Sequence, residues 1–94
     1  MTVKSGISVA RGGLEYARVA VRGRLESKIL DQLRAQLGAL VDDGARYLTL
    51  DLSRVSSCAP ELADVLTWAD LRAGEKQGWL ALTGIKHLMH LAAR

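Results

Sequence analysis

Ninety-four residues, 49% hydrophobic and 24% charged, suffice for one domain around one modest core, and with no Phe, two Trp and two Tyr that core is aliphatic. The formal net charge of +3 is spread over Lys4, Arg11, Arg18, Arg22, Arg24 and Arg46 rather than gathered in a run, which argues against a nucleic-acid binder. No apolar run approaches the roughly 18 residues of a membrane span, the first six residues lack the apolar region of a signal peptide, and the single Cys58 cannot close an intrachain disulfide. The expectation is therefore one cytoplasmic domain over residues 1–94, with no direct membrane insertion.

Ile7 and Val9 alternate with Ser8 and Ala10, as in a short strand. Gly12-Gly13 marks a turn, and residues 16–22 read as a second strand that can pair with the first as an antiparallel hairpin. A helix is expected over 26–41, with Leu30, Leu33, Leu37 and Leu40 as its buried stripe and Asp42-Asp43-Gly44 closing it. Residues 47–51 alternate again and read as a third strand. The turn Asp51 to Glu61 leads into a second helix, with Pro60 in its first turn and Leu62, Val65, Leu66, Ala69 and Ala73 at helical spacing. Gly74 and Gly78 end it, 79–83 reads as a fourth strand, and 85–93 as a last short helix.

This β-β-α-β-α-β-α order implies an α/β domain. Its sheet has four strands, mostly parallel with one antiparallel edge strand, and right-handed crossovers put the helices mainly on one face. Ile7, Val9, Val19, Val21, Leu48, Leu50, Leu80 and Leu82 should face the helices. Arg18, Arg22, Tyr47, Thr49, Asp51 and Trp79 should lie partly solvated on an open face, where small Ala10, Ala20 and Ala81 leave room for a homodimer.

The ordered set Gly23-Arg24-Leu25-Glu26, the leucine-rich helix, Asp42-Asp43-Gly44-Ala45-Arg46, Leu48-Thr49-Leu50-Asp51-Leu52-Ser53-Arg54-Val55 and Gly78-Trp79-Leu80-Ala81-Leu82-Thr83-Gly84 resembles a STAS domain. That is the fold of bacterial anti-sigma-factor antagonists and of accessory parts of lipid and sulfate transport systems. The resemblance implies a protein partner. The first choice is an anti-sigma factor of the histidine-kinase-like ATPase type, and the alternative is a transporter ATPase. It also implies an Asp-Ser-Ser/Thr-Gly junction at which the partner kinase phosphorylates a hydroxyl and so releases the antagonist. In this chain those positions are Ala59, Pro60, Glu61 and Leu62, and none has a hydroxyl. Glu61 could stand in for a phosphate by charge, or simply follow the preference for acids in a first helical turn. The chain stops at its third helix where many members continue, so it is either a short version or a trimmed one.

The remaining chemistry is sparse. Cys58 reads as a small residue packed under the turn, His87 and His90 as surface residues without a metal set, and Ser56 and Ser57 as capping groups or, alternatively, as phosphate acceptors in place of the lost hydroxyls. A third reading makes the turn an anion site of a small-ligand or nucleotide sensor. No nucleophile-base pair or carboxylate pair suggests an enzyme, and no cofactor or metal is implied. On the second helix the spacing puts Trp68 and Leu71 outside, beside Glu61, Asp64 and Glu75, unless Trp68 lies against the neighbouring helix. The candidate partner-binding residues are accordingly Ser57, Cys58, Pro60, Glu61, Asp64, Trp68 and Leu71.

Overall fold

The computed structural model describes residues 6–13 and 15–84. Its elements are β1 (Gly6–Arg11), β2 (Tyr16–Leu25), α1 (Ser27–Asp42), β3 (Tyr47–Cys58), α2 (Leu62–Glu75) and β4 (Trp79–Thr83). The sheet order is β1-β2-β3-β4, with β1 antiparallel to β2 and the other pairs parallel. The expected architecture is thus the observed one, and the helix expected over 85–93 lies outside the described residues.

Both helices sit on one face. Leu30, Leu33, Leu37, Leu40 and Val41 of α1 and Leu62, Val65, Ala69 and Ala73 of α2 pack onto Ala17, Val19, Val21, Leu48 and Leu50. Their burial is the main driving force of the fold, because the sheet offers one apolar face and each helix one apolar stripe. Val9 points to this side but remains 40% exposed, since α1 and α2 lie over β2, β3 and β4 and leave the edge strand at the rim.

Each helix ends in the same way. The N–H of Ala45 donates to the Leu40 carbonyl (2.9 Å) and that of Gly44 to Val41 (3.1 Å). Gly44 takes φ +107°, so the orphan carbonyls of the last turn are satisfied in a Schellman motif. At the end of α2 the Gly78 N–H donates to Ala73 (2.8 Å) and the Gln77 N–H to Gly74 (2.9 Å). There Gln77, at φ 62°, holds the left-handed position that Gly holds after α1. Gly78 is needed for another reason, since a Cβ there would run into the Arg46 carbonyl oxygen, which accepts the Trp79 N–H at 2.9 Å as β4 begins.

The third strand departs most from expectation. It continues past Asp51 to Cys58 because it carries two one-residue bulges against β2. Ala20 pairs with Asp51 but Arg22 with Arg54, and Gly23 pairs with Val55 but Arg24 with Ser57. The first bulge is closed by the Ser53 N–H donating to Asp51 Oδ1 at 3.0 Å. An extra residue inverts the two-residue alternation, so Val55 returns to the core while Arg54 joins the open face.

Candidate protein-docking surface

The junction between β3 and α2 is assembled from the end of the bulged strand. The Ala59 N–H donates to the Leu25 carbonyl (2.9 Å), holding the chain to β2 as it leaves the sheet. A tight turn follows: the N–H groups of Leu62, Ala63 and Asp64 donate to the carbonyls of Ala59, Pro60 and Glu61 at 3.0–3.2 Å. Pro60 suits the second position of this turn, where its fixed φ fits and no N–H is needed. These are the donors that a helix N-terminus ordinarily offers to an anion. Here they are engaged, and Glu61 makes no side-chain cap bond.

The four residues from Ala59 to Leu62 differ in exposure. Pro60 and Glu61 are exposed and Ala59 half-buried, whereas Leu62 is part of the core. Ser56 and Ser57 are exposed at the end of β3, and Cys58 is half-buried against the core. Along α2, Asp64 and Leu71 face outward, and Leu71 at 66% exposure is the most exposed large apolar side chain among the described residues. Ala63, Thr67 and Gly74 are also exposed, as are Asp70 and Glu75, so Leu71 is the large apolar side chain on an otherwise small or acidic strip.

Trp68 corrects the sequence-based expectation of an outward side chain. It is half-buried in the groove between α1 and α2. A Cβ on Gly38 would come within 3.1 Å of its ring edge, so Gly38 forms the notch that receives the indole. The Arg34 guanidinium lies 4.7 Å from the ring centroid and that of Arg72 6.0 Å, both within range of a cation–π attraction. Arg72 also bridges to Asp42 at 2.9 Å, tying the last turns of the helices together. The sequence does hold a signal for this: a Gly inside a leucine-rich helix, one turn after an Arg, marks a place for a large side chain from outside.

On the opposite face of the sheet, Tyr16, Tyr47 and Trp79 share one cross-strand row. Tyr47 and Trp79 rings lie 5.4 Å apart at 41°, with Arg46 5.5 Å from the Tyr47 centroid. Tyr16 donates its hydroxyl to Thr49 Oγ1 at 2.9 Å. That contact corrects a second expectation, since it leaves Thr49 buried rather than solvated. Arg18 pairs with Asp51 at 2.9 Å. Hydrogen bonds from Ser53, with Arg18 beside them, hold the Asp51 carboxyl below its ordinary value.

A family model described as Mlab, STAS domain matches residues 10–94. The chain belongs to this STAS family. No curated protein matches its sequence. Among solved structures, the STAS fold recurs in the anti-sigma-factor antagonist SpoIIAA in its unphosphorylated form, at 14% identity and TM-score 0.71 over 81% of this chain and 66% of that one. An anti-sigma-factor antagonist from Mycobacterium paratuberculosis matches at 22% identity and TM-score 0.74, over 96% and 79% of the two chains. An antisigma-factor antagonist STAS domain from Rhodobacter sphaeroides matches at 15% identity and 0.69, over 86% and 87%. At these identities the likeness is one of fold, and the chain spans about two-thirds of the length of SpoIIAA. Among the described residues no helix is long and apolar enough to cross a membrane.

Proposed function

We propose that this STAS domain is a non-enzymatic, cytoplasmic protein-interaction module of the anti-sigma-factor-antagonist class. It meets its partner, an anti-sigma factor of the histidine-kinase-like ATPase type, through the junction Ser57, Cys58, Pro60 and Glu61 and the outward strip of α2 at Asp64 and Leu71. The observation that carries this reading is Leu71, an apolar side chain 66% exposed on the outer side of the helix that the junction leads into. Such a residue is suited to anchor a partner while the surrounding residues exclude water. Trp68 acts from behind, fixing α2 on α1. Because Ala59, Pro60, Glu61 and Leu62 offer no hydroxyl, the module would not be released by phosphorylation at these positions.

A second reading, an accessory subunit of a membrane lipid-transport ATPase complex, is supported by the Mlab description of the matching family. The test is co-purification of the tagged chain with a purified ATPase of each kind from its own cells, alongside Leu71→Asp. Retention of the kinase-type ATPase that is lost in Leu71→Asp supports the first reading. Retention of the transport ATPase alone replaces it with the second, and binding to either that survives the substitution removes α2 from the interface.

A further inference from the structure

On the open face of the sheet, remote from the helices, Arg22 of β2 and Arg54 of β3 stand in direct cross-strand register, their backbones about 4.8 Å apart. Like charges so placed repel. Both side chains are exposed, and among the described residues neither has an ion-pair partner. The backbone creates this alignment. Without the bulge after Asp51, Arg22 would face Ser53; with it, Arg22 faces Arg54. The bulge is held by the Ser53–Asp51 hydrogen bond and by Gly84, whose backbone comes so near that a Cβ would lie 2.5 Å from the Ser53 nitrogen.

A cavity of about 190 Å³ lies at this place, lined by Ser8, Ala20, Val21, Arg22, Asp51 and Arg54. Gly6 leaves room for the Arg22 guanidinium, because a Cβ there would sit 3.3 Å from its Nε. Asp51, the acidic lining residue, is matched by Arg18 at 2.9 Å. Small Ala20 leaves the space open, with Ser8, Arg22 and Arg54 around it. A volume of several waters at about 30 Å³ each accommodates a tetrahedral oxyanion, and the N–H donors that two arginine side chains carry suit its multiple acceptors.

We propose that this cavity binds a phosphate group, either as the free ion or as the terminal phosphate of a small monoester such as a nucleoside monophosphate, bridged by Arg22 and Arg54. The site is independent of the docking strip on α2. The experiment is an amide-shift NMR titration of the isotopically labelled chain with inorganic phosphate, with adenosine monophosphate, and with sodium chloride at matched ionic strength. Saturable shifts centred on Ser8, Ala20, Arg22 and Arg54 are expected. Arg22→Gln and Arg54→Gln should each weaken binding about tenfold, while Arg22→Lys and Arg54→Lys retain part of it. Tighter binding of the nucleotide assigns the ester as ligand, and equal binding assigns the free ion. Shifts reproduced by chloride, shifts scattered over other arginines, or undiminished binding by the Gln variants would overturn the proposal.

Discussion

The two side chains that helical spacing groups together on α2, Trp68 and Leu71, play separate parts. Trp68 fills the notch at Gly38 between two guanidinium groups, so Trp68→Ala should empty part of the helix–helix groove. Full truncation of a buried Trp costs about 3–5 kcal/mol, and for this half-buried ring we expect about 2 kcal/mol, read as a lowered urea midpoint. Leu71→Ala should leave that midpoint within about 0.5 kcal/mol; an equal loss from both variants would contradict this division. Asp51 supports a pH prediction. Its folded pKa lies below the ordinary carboxylate value of 3.8, so its stabilisation is complete above that value and is lost as pH falls through the folded pKa. Asp51→Asn keeps an acceptor for the Ser53 N–H but loses the charge facing Arg18. Since Arg18 is half exposed, the difference at neutral pH should be about 1 kcal/mol or less. Denaturant midpoints of the two proteins should converge on acidification below pH 3.8, and a gap that widens there would refute the assignment.

Among the elements, α1 and β4 are plain in the sequence because one periodicity runs through each of them. Leucines at 30, 33, 37 and 40 mark a helix and Trp79 to Thr83 alternates without interruption. The third strand is not, since its alternation breaks at Asp51. A strand that gains a residue reverses its pattern, so the segment from Leu52 to Cys58 reads as loop although Arg54, Val55, Ser57 and Cys58 in it pair with β2. For the same reason Arg54 escapes notice as a neighbour of Arg22, whereas Asp64 and Leu71, on an unbroken helix, are placed correctly by spacing alone. Spacing misplaces Trp68 because its burial depends on Gly38, 30 positions earlier in the chain. The paired glycine signals around α2 also mislead slightly: the left-handed residue is Gln77, while Gly78 is required by contact with Arg46. Arg46 fastens this corner further, donating from Nε to the Lys76 carbonyl at 2.9 Å. Hence Gln77→Gly, which relieves a left-handed conformation at some gain in unfolded-chain entropy, should change stability by no more than about 1 kcal/mol and in the favourable direction. Gly78→Ala should cost about 2 kcal/mol or more by forcing β4 away from Arg46. Thermal melts of the two variants that shift in the same direction would show that the corner is not organised in this way.

At the scale of the whole molecule, the one-sided sheet gives the domain two separate faces, one for each of the two proposals. Helices cover one face and present the outer strip of α2, while the other face stays open with its aromatic row and its arginines. Under the proposed function a phosphorylation switch at the junction would lie on the first surface, and residues 59–62 would offer it the position without the chemistry. The turn is built, and Pro60 and Glu61 are exposed at its apex, but a kinase needs a hydroxyl oxygen to receive the phosphoryl group. Incubation with an anti-sigma kinase of the family type and ATP should therefore leave residues 59–62 unmodified, as read by intact-mass and peptide mass spectrometry. Ser56, the extra residue of the second bulge, and Ser57, paired with Arg24, are exposed at the end of β3 ahead of the turn, so neither sits at its apex and both should remain unmodified; high occupancy at either would relocate the switch. Pro60→Ser with Glu61→Ser restores hydroxyls at an accessible turn and should yield slow phosphorylation. Where it occurs, the added charge of nearly −2 would fall beside Asp64, so partner retention by the phosphorylated double variant should drop below that of its unphosphorylated form. Unchanged retention would mean that the junction is not part of the docking surface.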